Sequence, residues 1–144
     1  MNKVKQILKV KGDAIWSVSS GASALDAVQL MADKKTGAVL VMDEGKLVGI
    51  FTERDFAYKI GCFEKAPHDI KITDVMTPNP ITVSPARTVN DCMELMTDNH
   101  IRHLPVMEHG KIVGVISIGD VVKDMIEELK FMVEQLEKYI TGLR

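Results

Sequence analysis

Cysteine is scarce in this chain of 144 residues: Cys62 and Cys92 are the only two, and they share no motif spacing. That leaves no basis for a disulfide scaffold, and a reduced, cytoplasmic setting is the expectation. Charge of one sign is also missing. A net charge of −2 provides neither the basic footprint of a nucleic-acid binder nor a polybasic membrane patch. Long hydrophobic runs are absent; stretches such as "GAVLVM" are far too short to span a bilayer. The opening "MNKVKQILKVKG" lacks the apolar core and small-residue cleavage site of a secretory signal. What remains is an ordinary globular composition, 46% hydrophobic and 26% charged, long enough for one domain or two small packed halves.

The most informative feature is internal repetition. Sliding the chain along itself by 65 residues lays 17–60 on 82–125 without a gap, pairing Asp26 with Asp91, Met31 with Met96, Gly49 with Gly114 and Asp55 with Asp120. Each copy reads β-α-β-β-α. A short β segment (Ile15 to Val18; Ile81 to Val83) precedes a helix. The helix carries an apolar stripe at i, i+3, i+4, i+7: Ala24, Ala27, Val28, Met31 in one copy and Val89, Cys92, Met93, Met96 in the other. Cys92 is thereby expected to be a small buried hydrophobe. Two β runs follow, Ala38–Met42 and Leu47–Phe51 in the first copy, joined by "DEGK" and in the second copy by "EHGK", where Gly supplies the turn. The closing helix starts at Thr52 or Ser117, and the first is expected to end near Gly61 as a C-cap. About 50 residues bury too little surface alone, so the halves should pack as one pseudo-twofold α/β (α+β) fold. The implied boundaries are 10–65, 66–126 and a helical extension over 127–144.

Both copies end in the same phrase, "GIFTERD" at 49–55 and "GVISIGD" at 114–120. Taken alone, a Ser or Thr followed three residues later by an acid is a helix cap. Its recurrence, together with "DVMT" before the second copy and "IRHLPV" at 101–106, resembles the paired cystathionine-β-synthase (CBS) domains over roughly residues 10–126. The resemblance implies a sensor rather than an enzyme, binding AMP, ADP, ATP or NAD/NADH between the repeats, with S-adenosylmethionine less favoured. A helix N-terminus attracts phosphate and an Asp can accept both ribose hydroxyls, so the chemistry agrees. Carried over by motif, Thr52 and Asp55 serve one site with Ile81, Ile101, Arg102, His103 and Pro105. Ser117 and Asp120 serve the other with Ser19, Thr36, Gly37 and Ala38.

In the repeat register Arg102 and His103 face Gly37 and Ala38, and Arg54 faces Gly119. Positive charge is thus expected to gather at the Thr52/Asp55 site, leaving the other neutral and less suited to phosphate. A solvated Arg54 and a hydrogen-bonded strand His103 are the plainer alternatives. Asp98, His100, His103 and His109 do not have the spacing of a metal site. No Ser/His/Asp order, Cys/His motif or P-loop supports catalysis.

A third pattern lies outside the repeat. Val122, Ile126, Leu129, Val133, Leu136 and Ile140 follow steps of 4, 3, 4, 3, 4, a heptad seam widened by Met125 and Met132 and ending near Gly142. It suits a homodimer contact or a helix lying on its own domain, and "VKQILKV" at the start suggests another short helix for that contact. The expectation is a homodimeric nucleotide sensor with an unidentified downstream protein; a nucleotide-independent dimeric scaffold is the alternative.

Overall fold

The structure, a computed structural model, describes residues 2–142. Its elements are α1 (Val4–Lys11), β1 (Ser17–Val18), α2 (Ala24–Lys34), β2 (Ala38–Asp43), β3 (Lys46–Thr52), α3 (Glu53–Lys59), α4 (Ile72–Val75), β4 (Thr77–Pro78), α5 (Val89–Asn99), β5 (His103–Glu108), β6 (Lys111–Ser117) and α6 (Ile118–Thr141). The expected β-α-β-β-α order is present in both halves. β2 pairs antiparallel with β3, and β5 with β6, through turns in which Gly45 and Gly110 take φ of +78° and +76°. The leading strands are shorter than their apolar runs suggest. Only Ser17–Val18 ladders onto β2, and in the second half Val83 makes a single parallel bridge to Val106.

β2 is apolar from Ala38 to Met42, and its first four residues are buried because both faces are covered. Val39 and Val41 pack with α2 residues Ala24, Ala27 and Met31. Leu40 joins Ala38 and Ile50 in a separate cluster that meets Ile112 and Val115 of the second half. That cluster is the seam between the repeats, and it keeps the two capped helices on one molecule in fixed relation.

Each core is completed by the segment that precedes the other repeat. Val4 and Ile7 of α1 are buried in the second core, beside Val89, Cys92, Met96 and Leu104. Ile70, Ile72 and Val75, from the linker, are buried in the first core around Phe51. The straps lie close. A Cβ on Gly49 would sit 2.6 Å from the Met76 sulfur, and one on Gly114 would sit 2.7 Å from Leu8 Cδ2. Only glycine leaves room for a strap at both places. α1 therefore packs one face within its own chain, with Val4 fully buried there and Val10 left exposed.

One correction concerns a helix end. α3 stops at Lys59 and the chain tightens into a 3₁₀ turn over Ile60–Cys62, so Gly61 is not a left-handed C-cap. Burial of Ile60 in the first core draws the chain inward there. The helical extension from residue 127 continues the closing helix of the second repeat: α6 runs unbroken to Thr141, with Gly142 at φ +74° closing it. Residues 143 and 144 of that extension lie outside the described residues. Cys92 is buried as expected, and burial pushes its thiol up to about 11.

Candidate functional site

Both motif phrases make their caps. At the first, the Asp55 N–H donates to Thr52 Oγ1 at 3.2 Å, and the Thr52 N–H donates to Asp55 Oδ2 at 3.0 Å. Asp55 is buried, and its carboxylate takes further donors from its own cap, from the end of α3 and from the linker strap. Thr52 Oγ1 lies 3.2 Å from Oδ2, while Thr77 Oγ1 and Lys59 Nζ both lie 3.1 Å from Oδ1. Lys59 also donates to the Met76 carbonyl at 3.3 Å. The carboxylate thus ties α3 to the linker strap with both oxygens committed.

Arg54 is more than a solvated residue: its guanidinium donates to the His100 carbonyl at the end of α5 and lies 5.6 Å from the Tyr58 ring centre. That bond ties the first motif to the residue preceding the Ile101–Arg102 segment of the opposite repeat. Pro105 is buried in β5, and Arg102 is exposed. Ile81 and Ser19 are exposed, and among the described residues neither hydrogen-bonds to either motif.

The second motif is built differently. Ser117 caps α6, with the Asp120 N–H at 3.2 Å from Ser117 Oγ and the Ser117 N–H at 2.8 Å from Asp120 Oδ2. Lys11, at the end of α1, places its ammonium 2.6 Å from the same Oδ2 and 2.7 Å from the Val115 carbonyl. Partial burial alone would raise the Asp120 carboxyl. The hydrogen bond and charge of Lys11 and the Ser117 N–H outweigh it and hold the group below the ordinary carboxylate range. The expectation of a neutral second site is therefore overturned: α1 delivers a cation from outside the repeated segment.

His103 lies between the halves. It pairs with Ser117 across β5–β6, and its ring packs so closely on the first repeat that a Cβ on Gly37 would stand 3.2 Å from Nε2 and 2.8 Å from Glu53 Oε1. Thr36, Gly37 and Glu53 also line a groove of about 380 Å³ with Val28, Met31 and Phe56. Ala38, next in line, is buried in the inter-repeat seam. The structure thus brings Gly37, Glu53, His103, Lys11 and Asp120 into one neighbourhood. Burial lowers the His103 pKa first, and the positive charge of Lys11 lowers it further, against opposing pulls from Glu53 and Asp120. A histidine whose folded pKa is depressed binds fewer protons folded than unfolded, so acidification below about pH 6.5 costs stability. His103→Gln is expected to flatten the loss between pH 7.5 and 5.5 by about 1 kcal/mol, read from urea midpoints. An unchanged slope would remove His103 as its source.

Sequence reasoning missed Lys11, Glu53, Lys59 and Thr77. One signal was present. The 65-residue offset places Lys11 and Gly12 opposite Met76 and Thr77, so extending the repeat comparison upstream would have aligned the two straps that reach Asp120 and Asp55. Among the described residues, no group of three or more His, Cys, Asp or Glu converges as a metal site, and no helix is long and apolar enough to cross a membrane.

The CBS domain family model matches twice, over residues 5–61 and 72–127. The chain belongs to the CBS-domain family. This CBS pair is 36% identical over 148 residues to CBS domain-containing protein CBSX3, mitochondrial, of Arabidopsis thaliana, covering 96% of this chain and 72% of the relative. The solved CBS domain NE2398 is 43% identical and superimposes with a TM-score of 0.85 over 88% of this chain and 99% of its own. The CBS pair of MJ0100, solved in complex with 5′-methylthioadenosine and S-adenosyl-L-methionine, is 25% identical with a TM-score of 0.78, covering 89% of this chain and 98% of that one. The repeated phrase and the crossed straps of this chain are thus parts of a CBS pair.

Proposed function

We propose that this CBS pair is a regulatory module that binds an adenine nucleotide between its repeats and is not itself a catalyst. The observation that carries the reading is the second motif. Asp120 is ionised, partly exposed and offers Oδ1 with no protein donor among the described residues, beside Ser117 of its own cap. A carboxylate with a free oxygen suits ribose hydroxyls. The adenosine moiety shared by the ligands of MJ0100 supports the same class. AMP, ADP, ATP and NAD or NADH are the candidate ligands, with S-adenosylmethionine less favoured. Thr52, Arg54, Asp55, Ile81, Ile101, Arg102, His103 and Pro105 are assigned to one site, and Ser19, Thr36, Gly37, Ala38, Ser117 and Asp120 to the other. A cytoplasmic location and a downstream protein partner belong to the same reading.

The test is thermal and chemical unfolding with each nucleotide at millimolar concentration, on protein freed of retained ligand. At about 100 times its dissociation constant a ligand adds roughly 2.7 kcal/mol. Unfolding unmoved by all of AMP, ADP, ATP, NAD, NADH and S-adenosylmethionine would end the sensor reading. The scaffold reading would then stand on α6, whose apolar seam is exposed along its length. Both readings include a homodimer through that seam.

A further inference from the structure

We infer, resting on the nucleotide reading above, that this chain latches its Asp55 site with its own side chains and leaves the Asp120 site open. Thr77 and Lys59 hold the positions on the Asp55 carboxylate that a ribose needs. Neither residue belongs to the repeated phrase.

A carboxylate offers about four acceptor positions, two on each oxygen. At Asp55 all of them are taken. Oδ2 receives the Thr52 N–H at 3.0 Å and the Thr52 hydroxyl at 3.2 Å, while Oδ1 receives the Thr77 hydroxyl and the Lys59 ammonium, both at 3.1 Å. Asp120 is unlike it. Its Oδ2 receives the Ser117 N–H at 2.8 Å and the Lys11 ammonium at 2.6 Å, and Oδ1 has no protein donor among the described residues. Both ribose hydroxyls fit the two positions on that oxygen with Lys11 left where it is.

A ribose at Asp55 must instead take places that the chain already fills. The Thr52 donors belong to the helix cap. Thr77 and Lys59 are the donors left to move, and Lys59 also donates to the Met76 carbonyl at 3.3 Å. Ile72 and Val75 keep the strap in the first core, so the latch opens by rotation of these two side chains alone. Opening it replaces an ammonium by a neutral hydroxyl at a buried carboxylate, which is unfavourable. At Asp120 nothing is given up.

The difference is written into the repeat register. The 65-residue offset sets Gly12 opposite Thr77 and Asp124 opposite Lys59. Gly12 has no hydroxyl to donate. Asp124 has only acceptors in its carboxylate, and Asn2 Nδ2 donates to its Oδ1 at 3.1 Å.

The probe is adenosine, which carries both hydroxyls and no phosphate. Its affinity is read from amide NMR shifts, at Glu53 and Arg54 for the first site and at Ser117 and Gly119 for the second. In the wild type the second site should bind at least about tenfold more tightly than the first. Thr77→Val frees a position on Asp55 Oδ1 and should tighten the first site about tenfold, leaving the second unchanged. Thr77→Ala frees the same position without added bulk, and guards against a folding defect in the valine variant. Thr77→Ser keeps the hydroxyl and should match the wild type, which separates the latch from the packing of the strap. Equal affinities at the two wild-type sites would overturn the latch while leaving nucleotide binding intact. So would a first site unmoved by Thr77→Val and Thr77→Ala. Wild-type signals at both sites unmoved by adenosine and by AMP would overturn the nucleotide reading and the latch with it.

Discussion

Replacing Leu129 and Val133 with glutamate is expected to yield a monomer that still binds nucleotide. Six seam residues of α6 are exposed, from 40% at Val122 to 79% at Ile140, and Phe131, Met132 and Tyr139 are also exposed. Only Val121 of this helix is fully buried in its own chain, with Met125 packed partly against the second core. Of the two fates open to a widened apolar stripe, lying on its own domain is therefore realised only at the start of the helix. Beyond Met125 no described residue of the chain covers the stripe, and an exposed apolar face of this length marks an interaction surface. β-branched Ile126, Val133 and Ile140 alternate with Leu129 and Leu136, a pattern that suits two-stranded pairing with a second copy. Two glutamates at the centre place four like charges in an apolar contact, costing about 4 kcal/mol or more, roughly a thousandfold in dimer affinity. Sedimentation velocity reads the outcome. A variant that sediments as the wild type does would take the seam out of the proposed interface.

The second large effect separates the two acids that the repeat makes look alike. Asp55→Asn is expected to destabilise the fold by about 2–4 kcal/mol, because a buried group holding donors from Thr52, Thr77 and Lys59 loses its charge and cannot satisfy them all. Lys59 is left beside a neutral amide, and the linker strap loses its tie to α3. Asp120→Asn should cost less than about 1 kcal/mol of stability, since its pair with Lys11 is partly exposed. Its loss should appear instead in ribose binding, because an amide accepts through one oxygen only. Urea unfolding without ligand and calorimetry with AMP, run on both variants, measure the two quantities. Equal stability losses for the two variants would contradict the division of roles. So would an Asp120→Asn protein that binds AMP as the wild type does.

The repeated β-α-β-β-α order, both capped helices, the glycine turns and the apolar stripes were legible in the sequence because each depends on residues close together in the chain. Thr52 and Asp55 are three apart, and so are Ser117 and Asp120; their cap geometry follows from local hydrogen bonding that any context would permit. The heptad seam was legible for the same reason, since its period is a property of the helix alone. What the caps do beyond capping was decided by tertiary structure. Asp55 and Asp120 occupy matching positions in the repeat, yet one is buried under Thr77 and Lys59 and the other is paired with Lys11. Thr77 and Lys11 come from straps that cross to the opposite repeat, where Leu8 lies over Gly114 and Met76 over Gly49, whereas Lys59 stands one turn along α3 from Asp55. Periodicity shows that such a strap is apolar on one face but not which core receives it. The charge comparison failed at Asp120 for that reason: it weighed only residues inside the aligned segment, while the nearest cation arrives from 109 positions away in the chain. Long-range electrostatics belong to the packing, and the packing of crossed straps is settled by which core has the space to bury Ile7 and Ile72.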